Sequence, residues 1–481
     1  MTTAPSEGDP HSGRRLGFTP GGRVTGSLRT PGSKSAAQRA LVAALFADGT
    51  TRVEGLPDGA DVTAALALVR DAGGGLERHF DARASAGNAV SVTGRAPGGV
   101  DPGEPREATL RLGESGTLAR IATAAFAFGP PPGSRTTLLP EGSLTTRSSR
   151  PLFASLDDAG VRLYRQNLPG TWPVELEACT PPSTLRLREP GSSQEVTALL
   201  LAAAAWPDTI DVEVEGSIPS LPYVGITRAL LESFGVTAEE YVTHAAPDVS
   251  APARPQRIGA DERRTYRVSG PLRAPDEALV LEPDASSAAV ALAAACLSGG
   301  ELRVPGLTSE SPQGDVRIVE HLRAFGCEAR ADAEGLVARG FPAHGATLDL
   351  ASEPDLAPVL AAVAAGVALE RMDASLLTGL ETLPGKESDR IAVLARGLRA
   401  IGCRVETGPD RLLIAPGQGR PSEPVTLDPA GDHRMAFAFA LVGLFAPGVL
   451  VSDPGCVAKS WRGFWDDLAA SGARRVEAGT D

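Results

Sequence analysis

The stretch Asp284–Gly326, DASSAAVALAAACLSGGELRVPGLTSESPQGDVRIVEHLRAFG, contains one complete copy of a pattern that organises the whole chain. A polar segment rich in Asp and Ser precedes an Ala-rich apolar stretch. A short run of strand-like composition, Glu301–Val304, follows, and then an amphipathic helix that closes on Gly326. Glycine there suits the left-handed residue with which many helices end. The copy therefore predicts a buried helix, a strand and an amphipathic helix.

The same pattern occurs six times along the chain, which argues against a chance effect of an Ala-rich composition. The closing glycines are Gly73, Gly160, Gly235, Gly326, Gly402 and Gly472. The Ala-rich stretches are apolar on nearly all faces, as helices buried inside a domain are. They are Arg39–Phe46, Thr117–Phe128, Gln194–Trp206, Ser286–Cys296, Leu356–Ala364 and Met435–Phe445. Six copies predict two α/β domains of three units each, with the domain change near Glu282–Asp284.

Bulk properties exclude several classes of protein. The 481 residues suffice for two or three domains, and the net charge of −13 argues against general nucleic-acid binding. The five cysteines are scattered without a CxxC pair, so neither a zinc site nor a disulfide framework is predicted. The polar segment 1–15 lacks the apolar core of a signal peptide, and no apolar run matches a membrane span. We expect a cytoplasmic monomer without a metal or cofactor.

Polar segments suited to anions precede most of the predicted buried helices. They are Pro31–Ser35, Gly113–Thr117, Gly191–Gln194, Asp284–Ser287 and Asp432–Arg434. A helix N-terminus offers unpaired N–H groups and the positive end of a dipole, although Ser, Asp and Gly also serve as ordinary N-caps. Capping does not account for the cations that recur beside the helix starts. These are Lys34, Arg39, Arg120, Arg390, Arg434 and Lys459.

Two other kinds of site fit these residues less well. The string Gly32-Ser33-Lys34-Ser35 is similar to a nucleotide-binding P-loop, but that motif needs Gly immediately before the Lys. A Ser-His-Asp hydrolase lacks support because the sequence contains no G-x-S-x-G elbow. His433 lies between Asp432 and Arg434, which indicates an anion clamp rather than a catalytic base.

Nine short motifs follow one another in a fixed order. They are PGSKSAAQRAL at Pro31–Leu41, LGESGT at Leu112–Thr117, SSQ at Ser192–Gln194, SLPYVGIT at Ser220–Thr227, EPDASS at Glu282–Ser287, PQGDVR at Pro312–Arg317, KESDR at Lys386–Arg390, DHRMA at Asp432–Ala436 and CVAKS at Cys456–Ser460. Together they resemble the 5-enolpyruvylshikimate-3-phosphate synthase family, also called 3-phosphoshikimate 1-carboxyvinyltransferase, over about Gly26 to Gly472. Each motif alone is weak, whereas nine in order are specific.

The resemblance implies an α/β fold of the inside-out barrel type. Two similar domains would each hold three βαβαββ units with buried helices, and the active site would lie in the interdomain cleft. We expect residues 32–282 to form the first domain and residues 20–31 plus 283–481 to form the second. The segment 1–19 is expected to be a disordered tail.

The resemblance also implies a reaction and its residues. The enolpyruvyl group of phosphoenolpyruvate would move to the 5-hydroxyl of shikimate 3-phosphate, with release of phosphate. Asp315, Glu387 and Lys34 would be catalytic, with Glu387 donating a proton to carbon and Asp315 taking the hydroxyl proton. Phosphoenolpyruvate would bind Lys34, Gly116, Gln194, Arg390, Arg434, Lys459 and Arg147. The acceptor would bind Ser35, Arg39, Ser192, Ser193, Gln194, Ser220, Tyr223, Asp315, Thr382 and Lys386.

The chain departs from the family pattern at three places. Arg147 and Arg150 both lie near the position of a family arginine that touches phosphoenolpyruvate, so that contact stays open between them. Thr382 and Gln38 replace residues common in the family where the acceptor would sit. A paralogue of secondary metabolism acting on another polyol or sugar is therefore the main alternative.

Two further alternatives are disfavoured. UDP-N-acetylglucosamine enolpyruvyl transferases often carry a reactive Cys in the loop corresponding to Pro140–Arg150, which has none here. A non-catalytic binding protein would not need both Asp315 and Glu387.

Overall fold

The computed structural model describes residues 14–79, 88–95, 105–164, 168–244 and 262–479. It divides into two compact units. Gly32–Leu281 is called the first unit, and Met1–Pro31 together with Glu282–Asp481 is called the second unit. The chain therefore passes from one unit to the other twice. The predicted first domain, 32–282, differs from the first unit by one residue at its C-terminal end.

The described residues form α-helices separated by one to three β-strands. The helices are α1 Lys34–Phe46, α2 Ala60–Asp71, α3 Gly116–Phe128, α4 Arg150–Asp158, α5 Ser193–Ala204, α6 Pro222–Ser233, α7 Ala285–Leu297, α8 Ile318–Ala324, α9 Ala357–Glu370, α10 Arg390–Ala400, α11 His433–Gly443 and α12 Phe464–Ala470. The strands are β1 Arg14–Thr19, β2 Thr25–Ser27, β3 Thr50–Leu56, β4 Gly75–His79, β5 Asn88–Thr93, β6 Glu107–Arg111, β7 Arg135–Leu139, β8 Arg162–Tyr164, β9 Val174–Glu177, β10 Thr184–Arg188, β11 Thr209–Glu215, β12 Thr237–His244, β13 Glu262–Ser269, β14 Leu279–Val280, β15 Glu301–Pro305, β16 Glu328–Asp332, β17 Gly335–Arg339, β18 Thr347–Asp349, β19 Ser375–Thr378, β20 Arg404–Thr407, β21 Leu412–Ala415, β22 Val425–Leu427, β23 Val449–Val451 and β24 Arg474–Gly479.

The described strands form six four-stranded sheets of one topology, in which one parallel pair is followed by two antiparallel pairings. The strand orders are β14-β3-β5-β4, β6-β7-β9-β8 and β10-β11-β13-β12 in the first unit, and β2-β15-β17-β16, β18-β19-β21-β20 and β22-β23-β1-β24 in the second. Three sheets take one strand from a remote part of the chain: β14, β2 or β1. The predicted sixfold pattern of strands and helices is thus confirmed.

The six Ala-rich stretches form the buried helices α1, α3 and α5 in the first unit and α7, α9 and α11 in the second. Alanine is a strong helix former, and its small side chain lets neighbouring elements approach closely. In α9, every residue from Ala357 to Ala368 is buried. The other six helices are amphipathic, and the six predicted closing glycines all have φ between 74° and 111°. That left-handed conformation is open to glycine at low cost.

The N-terminal segment differs from its prediction. Residues 14–19, expected to be part of a disordered tail, form strand β1, which pairs with β24 from Arg14 to Thr19 and with β23 at Leu16. Leu16 and Phe18 alternate into the core of the second unit, but this alternation is too short to stand out in the sequence. Residues 1–13 lie outside the described residues.

No described helix is both long and apolar enough to cross a membrane.

The remote strands also show how the N-terminal segment is used. Strand β2 pairs in parallel with β15, whose residues belong to the second unit. The family resemblance implied this placement, which the sequence pattern alone did not assign.

Candidate active site

Five of the six buried helices begin with a side chain that accepts a hydrogen bond from the backbone of the first turn. The caps are Ser33, Ser115, Ser192, Asp284 and Asp432. Helix α9 lacks such a cap. Ordinary N-capping therefore explains much of the Ser and Asp pattern. The candidates for anion binding are the cations and amides beside these helix starts.

In the first unit, Lys34 is the first residue of α1, and its Nζ lies 3.1 Å from Oδ2 of the buried Asp61. Gln38, one turn later, donates from Nε2 to Ser115 Oγ at 2.7 Å and to the Asp61 carbonyl oxygen at 3.3 Å. Its side chain is 1% exposed. This amide joins α1 to the start of α3 inside the unit, and a contact of Gln38 with the acceptor stays a prediction.

Arg39 is also buried. Its guanidinium donates to Thr227 Oγ1 at 2.9 Å, to Thr197 Oγ1 at 3.2 Å and to the Ser35 carbonyl oxygen at 2.8 Å. Burial lowers its pKa to about 10, and the neighbouring Tyr223 acts weakly in the opposite direction. The structure therefore brings the predicted acceptor residues Ser35, Arg39 and Tyr223 into one neighbourhood.

The starts of α5 and α6 also lie together. The backbone N–H of Ser193 donates to the Pro219 carbonyl oxygen at 3.1 Å, and that of Tyr223 donates to the Ser220 carbonyl oxygen at 3.1 Å. Ser220 has a φ of 56°, a left-handed conformation that is unfavourable for serine. Strained residues of this kind are held by their surroundings and concentrate at functional sites.

Gly116, at the start of α3, faces three polar side chains. A Cβ atom at this position would lie 2.9 Å from Arg120 Nη1, 3.2 Å from Arg147 Nη1 and 3.7 Å from Gln194 Oε1. Arg150 instead packs its side chain against Gly170. Of the two candidate arginines, the structure brings Arg147 to the predicted phosphoenolpyruvate residues Gly116 and Gln194.

The buried carboxylate of Glu195 supports the polar side chains around Gly116. Arg120 donates from Nη1 to Gln194 Oε1 at 3.1 Å and from Nε to Ser149 Oγ at 3.1 Å, and Ser149 in turn donates to Glu195. Glu195 also accepts the Gly191 N–H at 2.8 Å. Burial lowers the pKa of Arg120, while Glu195 opposes that effect. Sequence reasoning missed Glu195, because nothing in the SSQ motif indicates which way the next side chain points.

In the second unit, three cations converge on Asp355. Arg390 Nη1 lies 2.9 Å and Lys386 Nζ 3.4 Å from Asp355 Oδ1, and Arg434 Nη2 lies 3.0 Å from Oδ2. Burial alone would raise the pKa of Asp355, but Arg434, Lys386 and Arg390 together hold it well below its usual range. Sequence reasoning missed Asp355 as well, since it lies outside the nine motifs.

Glu387 lies beside the same cations. Arg390 Nη2 donates to Glu387 Oε2 at 2.9 Å, and Lys459 Nζ lies 3.4 Å from Oε1. Glu387 and Arg390 are three positions apart, a spacing at which ion pairs form easily on a helix. Arg390 also donates from Nε to Asp432 Oδ2 at 2.8 Å. Glu387 is therefore oriented by two cations, one on each oxygen.

Asp315 is 2% exposed. Ser286 Oγ donates to its Oδ2, and Arg434 Nη2 donates to Ser286 Oγ at 3.2 Å. Burial raises the pKa of Asp315 to about 7. Arg434 and Ser286 lower this pKa, whereas Asp355 and Asp284 raise it. A buried carboxyl group that titrates near neutral pH is suited to proton transfer.

Thr382, predicted to face the acceptor, lies in the second unit just before Lys386. Its Oγ1 atom is buried and has no hydrogen-bond partner among the described residues. A buried hydroxyl in this state marks a position that a ligand can satisfy. Among the described residues, no group of three or more His, Cys, Asp or Glu side chains is arranged to hold a metal ion.

A sequence model of the family described as EPSP synthase (3-phosphoshikimate 1-carboxyvinyltransferase) matches residues 18–468. The chain belongs to this family. A 3-phosphoshikimate 1-carboxyvinyltransferase of Burkholderia vietnamiensis is 34% identical over 462 residues, covering 95% of this chain and 98% of its own. The enzyme of that name from Shewanella loihica is 30% identical over 459 residues, covering 95% and 99%.

Solved structures of EPSP synthases share the fold. The Acinetobacter baumannii EPSP synthase matches with a TM-score of 0.72 and 22% identity, covering 97% of this chain and 100% of that chain. The enolpyruvyl transferase NikO from Streptomyces tendae matches with a TM-score of 0.67 and 19% identity, covering 97% and 99%. These likenesses show the fold alone, and they confirm the predicted two-domain α/β class with buried helices.

Proposed function

We propose that this EPSP synthase family member transfers the enolpyruvyl group of phosphoenolpyruvate to the 5-hydroxyl of shikimate 3-phosphate and releases phosphate. The observation that carries the proposal is the second-unit network of Asp315, Glu387, Arg390, Arg434 and Lys459. It combines a buried carboxyl whose pKa is about 7, a second carboxylate held by two cations, and arginine forks suited to a carboxylate or phosphate. The names of the relatives favour this acceptor over another polyol or sugar.

Phosphoenolpyruvate carries a carboxylate and a phosphate, so it needs several cations and hydrogen-bond donors. We assign its binding to Lys34, Gly116, Arg147, Gln194, Arg390, Arg434 and Lys459. Because Gly116 has no side chain, no Cβ atom there crowds Arg147 and the amide of Gln194. The second-unit arginines each present planar donors that pair with two oxygens at once.

The acceptor carries hydroxyl groups and a phosphate, and it needs hydrogen-bond partners for both. We assign it to Ser35, Arg39, Ser192, Ser193, Gln194, Ser220, Tyr223, Asp315, Thr382 and Lys386. The contact of Arg39 with the Ser35 carbonyl supports a preformed arrangement, since Arg39 holds the first turn of α1 in place. The unpartnered Thr382 hydroxyl supports a ligand contact at that point.

In the proposed reaction, the acceptor hydroxyl oxygen attacks the central carbon of phosphoenolpyruvate. Asp315 accepts the hydroxyl proton while Glu387 donates a proton to the methylene carbon. The tetrahedral intermediate then loses phosphate and a proton from the new methyl group, which restores the double bond. Cations such as Lys34 and Lys459 stabilise the charge of the leaving phosphate.

A coupled phosphate-release assay with phosphoenolpyruvate and shikimate 3-phosphate tests the proposal. The wild-type protein should release one phosphate for each acceptor consumed. Asp315→Asn and Glu387→Gln should each lower kcat by roughly 100-fold or more, the usual scale for a positioned acid or base. Arg404→Ala is the control, because Arg404 is an exposed residue paired with Glu406 on β20.

Absence of phosphate release with shikimate 3-phosphate would contradict the acceptor assignment, and release with a different polyol would favour the paralogue alternative. Wild-type turnover in both carboxyl variants would remove Asp315 and Glu387 from the mechanism. We further expect the enzyme to act as a cytoplasmic monomer. Sedimentation at working concentration checks the monomer.

A further inference from the structure

Glu195 is a buried carboxylate in the first turn of α5, and its two oxygens have different partners. Oε2 accepts a hydrogen bond at 2.8 Å from the backbone N–H of Gly191, just before the helix. A glutamate at this position often bonds back to the backbone before its helix, so helix capping accounts for Oε2. It does not account for Oε1, which accepts a hydrogen bond from the hydroxyl of Ser149 at the start of α4.

Ser149 immediately precedes α4, where the side chain of a serine usually caps the helix. Its hydroxyl makes no such cap here. The hydroxyl donates to Glu195 instead, and its oxygen accepts from Nε of Arg120 at 3.1 Å. Ser149 and Glu195 are each 1% exposed, so this connection is shielded from solvent. The serine therefore links a buried carboxylate to an arginine.

The guanidinium of Arg120 is largely committed to protein partners. Besides Ser149, it donates to the carbonyl oxygens of Gly116 at 2.9 Å and Ser148 at 3.1 Å, and to Oε1 of Gln194 at 3.1 Å. These contacts use four of the five N–H groups that an arginine has. Arg120 therefore has little capacity to bind a ligand directly, and its route to a ligand is through Gln194.

The orientation of the Gln194 amide follows from its contact with Arg120. An arginine can only donate, so the amide atom that faces it must be the oxygen Oε1. The amino group Nε2 then points away from the guanidinium, and no described residue accepts a hydrogen bond from it. A flipped amide would set its amino group against Arg120 and would offer an oxygen, instead of two N–H donors, to an anion.

We propose that Glu195 is a positioning residue for the amide of Gln194. It acts through Ser149 and Arg120, and it keeps the two N–H donors of that amide available to the bound anions. This inference rests on the proposed function, in which Gln194 binds phosphoenolpyruvate and shikimate 3-phosphate. It adds to that function a residue that contacts neither the substrates nor the reacting atoms.

A purely electrostatic role for Glu195 would have the opposite effect on binding. Its negative charge lies beside a proposed site for anions, so removal of the charge alone should strengthen their binding. Loss of the hydrogen-bond chain should instead weaken binding, because the Gln194 amide can then rotate and present its oxygen to the ligand. The direction of the change in KM therefore distinguishes the two roles.

The test is Glu195→Gln in the full-length protein, with kcat and KM measured for both substrates. Glutamine keeps the shape of the side chain, but it lacks the charge and has one acceptor oxygen for two donors. We expect each KM to rise by about 10-fold, the scale of one lost charge-assisted hydrogen bond. The kcat should change by less than about 3-fold, because the loss affects ground state and transition state alike. Ser149→Ala should have the same effect, since it removes the bridging hydroxyl.

Combined variants test the route of the effect. Gln194→Ala should raise both KM values by itself. In that background, Glu195→Gln should add less than about 2-fold, because no amide remains to be positioned. A further rise by the full factor seen in the wild-type background would show that Glu195 acts elsewhere, and it would overturn the proposal.

Glu240→Gln is the matched control. Glu240 is a carboxylate of the same unit that accepts hydrogen bonds from Arg228 Nη1 at 2.9 Å and from Tyr266 Oη at 3.1 Å. Neither partner is assigned to a ligand, so this variant should lower the melting temperature and leave both KM values in place. Equal rises of KM in Glu195→Gln and Glu240→Gln, or a fall of KM in Glu195→Gln, would contradict the positioning role.

Failure of the proposed function gives a different result, because the wild type would then release no phosphate from phosphoenolpyruvate with shikimate 3-phosphate. Exchange of the Arg120 Nε–H with solvent, followed by ¹⁵N NMR, still tests the hydrogen-bond chain in that case. Exchange should be about 10-fold faster or more in Ser149→Ala and unchanged in Glu240→Gln. Unchanged exchange in Ser149→Ala would show that Ser149 does not hold Arg120, whatever the substrate is.

Discussion

Asp315 shows how one residue couples stability to chemistry. Its buried carboxyl has a pKa of about 7, far above the ordinary value for aspartate. The folded protein therefore accommodates the neutral carboxyl better than the carboxylate. Stability from this group is fully present below the pKa of the unfolded chain and is lost as the pH rises through about 7.

Asp315→Asn should therefore stabilise the protein more at pH 8 than at pH 5. The expected gain in the free energy of unfolding is on the order of 4 kcal/mol at pH 8 and roughly a third of that at pH 5. Denaturant unfolding at the two pH values measures it. Asp332→Asn is the control, because a hydrogen bond from Arg303 lowers the pKa of Asp332 to about 2 and this variant should lose stability at pH 8. Equal gains for Asp315→Asn at both pH values would contradict the assignment.

Arg147 and Arg150 provide a second contrast at the residue scale. Arg147 lies against Gly116 and Gln194, whereas Arg150 packs on Gly170. We expect Arg147→Ala to raise the KM for phosphoenolpyruvate by about 10-fold or more, the scale of one lost charge-assisted hydrogen bond. Arg150→Ala should change it by less than about 2-fold. Steady-state kinetics decide between them, and the reverse order would transfer the contact to Arg150.

At the scale of the element, the start of α3 combines a helix N-terminus with two arginines and an amide. Gly116 does not have the left-handed φ that would require glycine, so the backbone there accepts other residues. Glycine is therefore not required at this position by the conformation of a tight turn. What glycine provides is space, since a Cβ atom would lie 2.9 Å from Arg120 Nη1.

Gly116→Ala should raise the KM for phosphoenolpyruvate by about 10-fold, because Arg120, Arg147 or Gln194 must shift to admit the methyl group. The melting temperature should stay near that of the wild type, since alanine is favourable in a helix. Kinetics with both substrates and a thermal melt measure the two effects. Lost stability with an unchanged KM would contradict this prediction and show that glycine is needed there for folding instead.

At the scale of the whole molecule, the proposed ligands of phosphoenolpyruvate come from both units. Lys34, Gly116 and Gln194 belong to the first unit, while Arg390 and Arg434 belong to the second. Binding of one small anion by all of them would couple the two units energetically.

Hydrogen exchange followed by mass spectrometry tests this coupling. Phosphoenolpyruvate and shikimate 3-phosphate together should slow exchange at the starts of α1, α3 and α5 and at those of α10 and α11. Lys34→Ala, a first-unit variant, should abolish the protection of α10 and α11 as well. Protection confined to one unit would contradict a shared ligand set.

Much of the fold could be predicted because its signals are local. An Ala-rich buried helix is encoded by a segment of about 20 residues or fewer. The same is true of an amphipathic helix that ends on a glycine. The ordered motifs then indicate the family, and the resemblance implies Asp315, Glu387, Arg390 and Arg434 as site residues. The structure places these four in one network of the second unit.

Tertiary structure alone decided which charged groups meet. Asp355 and Glu195 lie in ordinary acidic contexts in the sequence, and nothing there indicates which cations they meet. Strand β1 looked like part of a tail, because its partner β24 lies at the other end of the chain. Periodicity along a chain reports which face of an element is buried. The pairing of remote strands and the choice among many similar carboxylates and cations depend instead on packing in three dimensions.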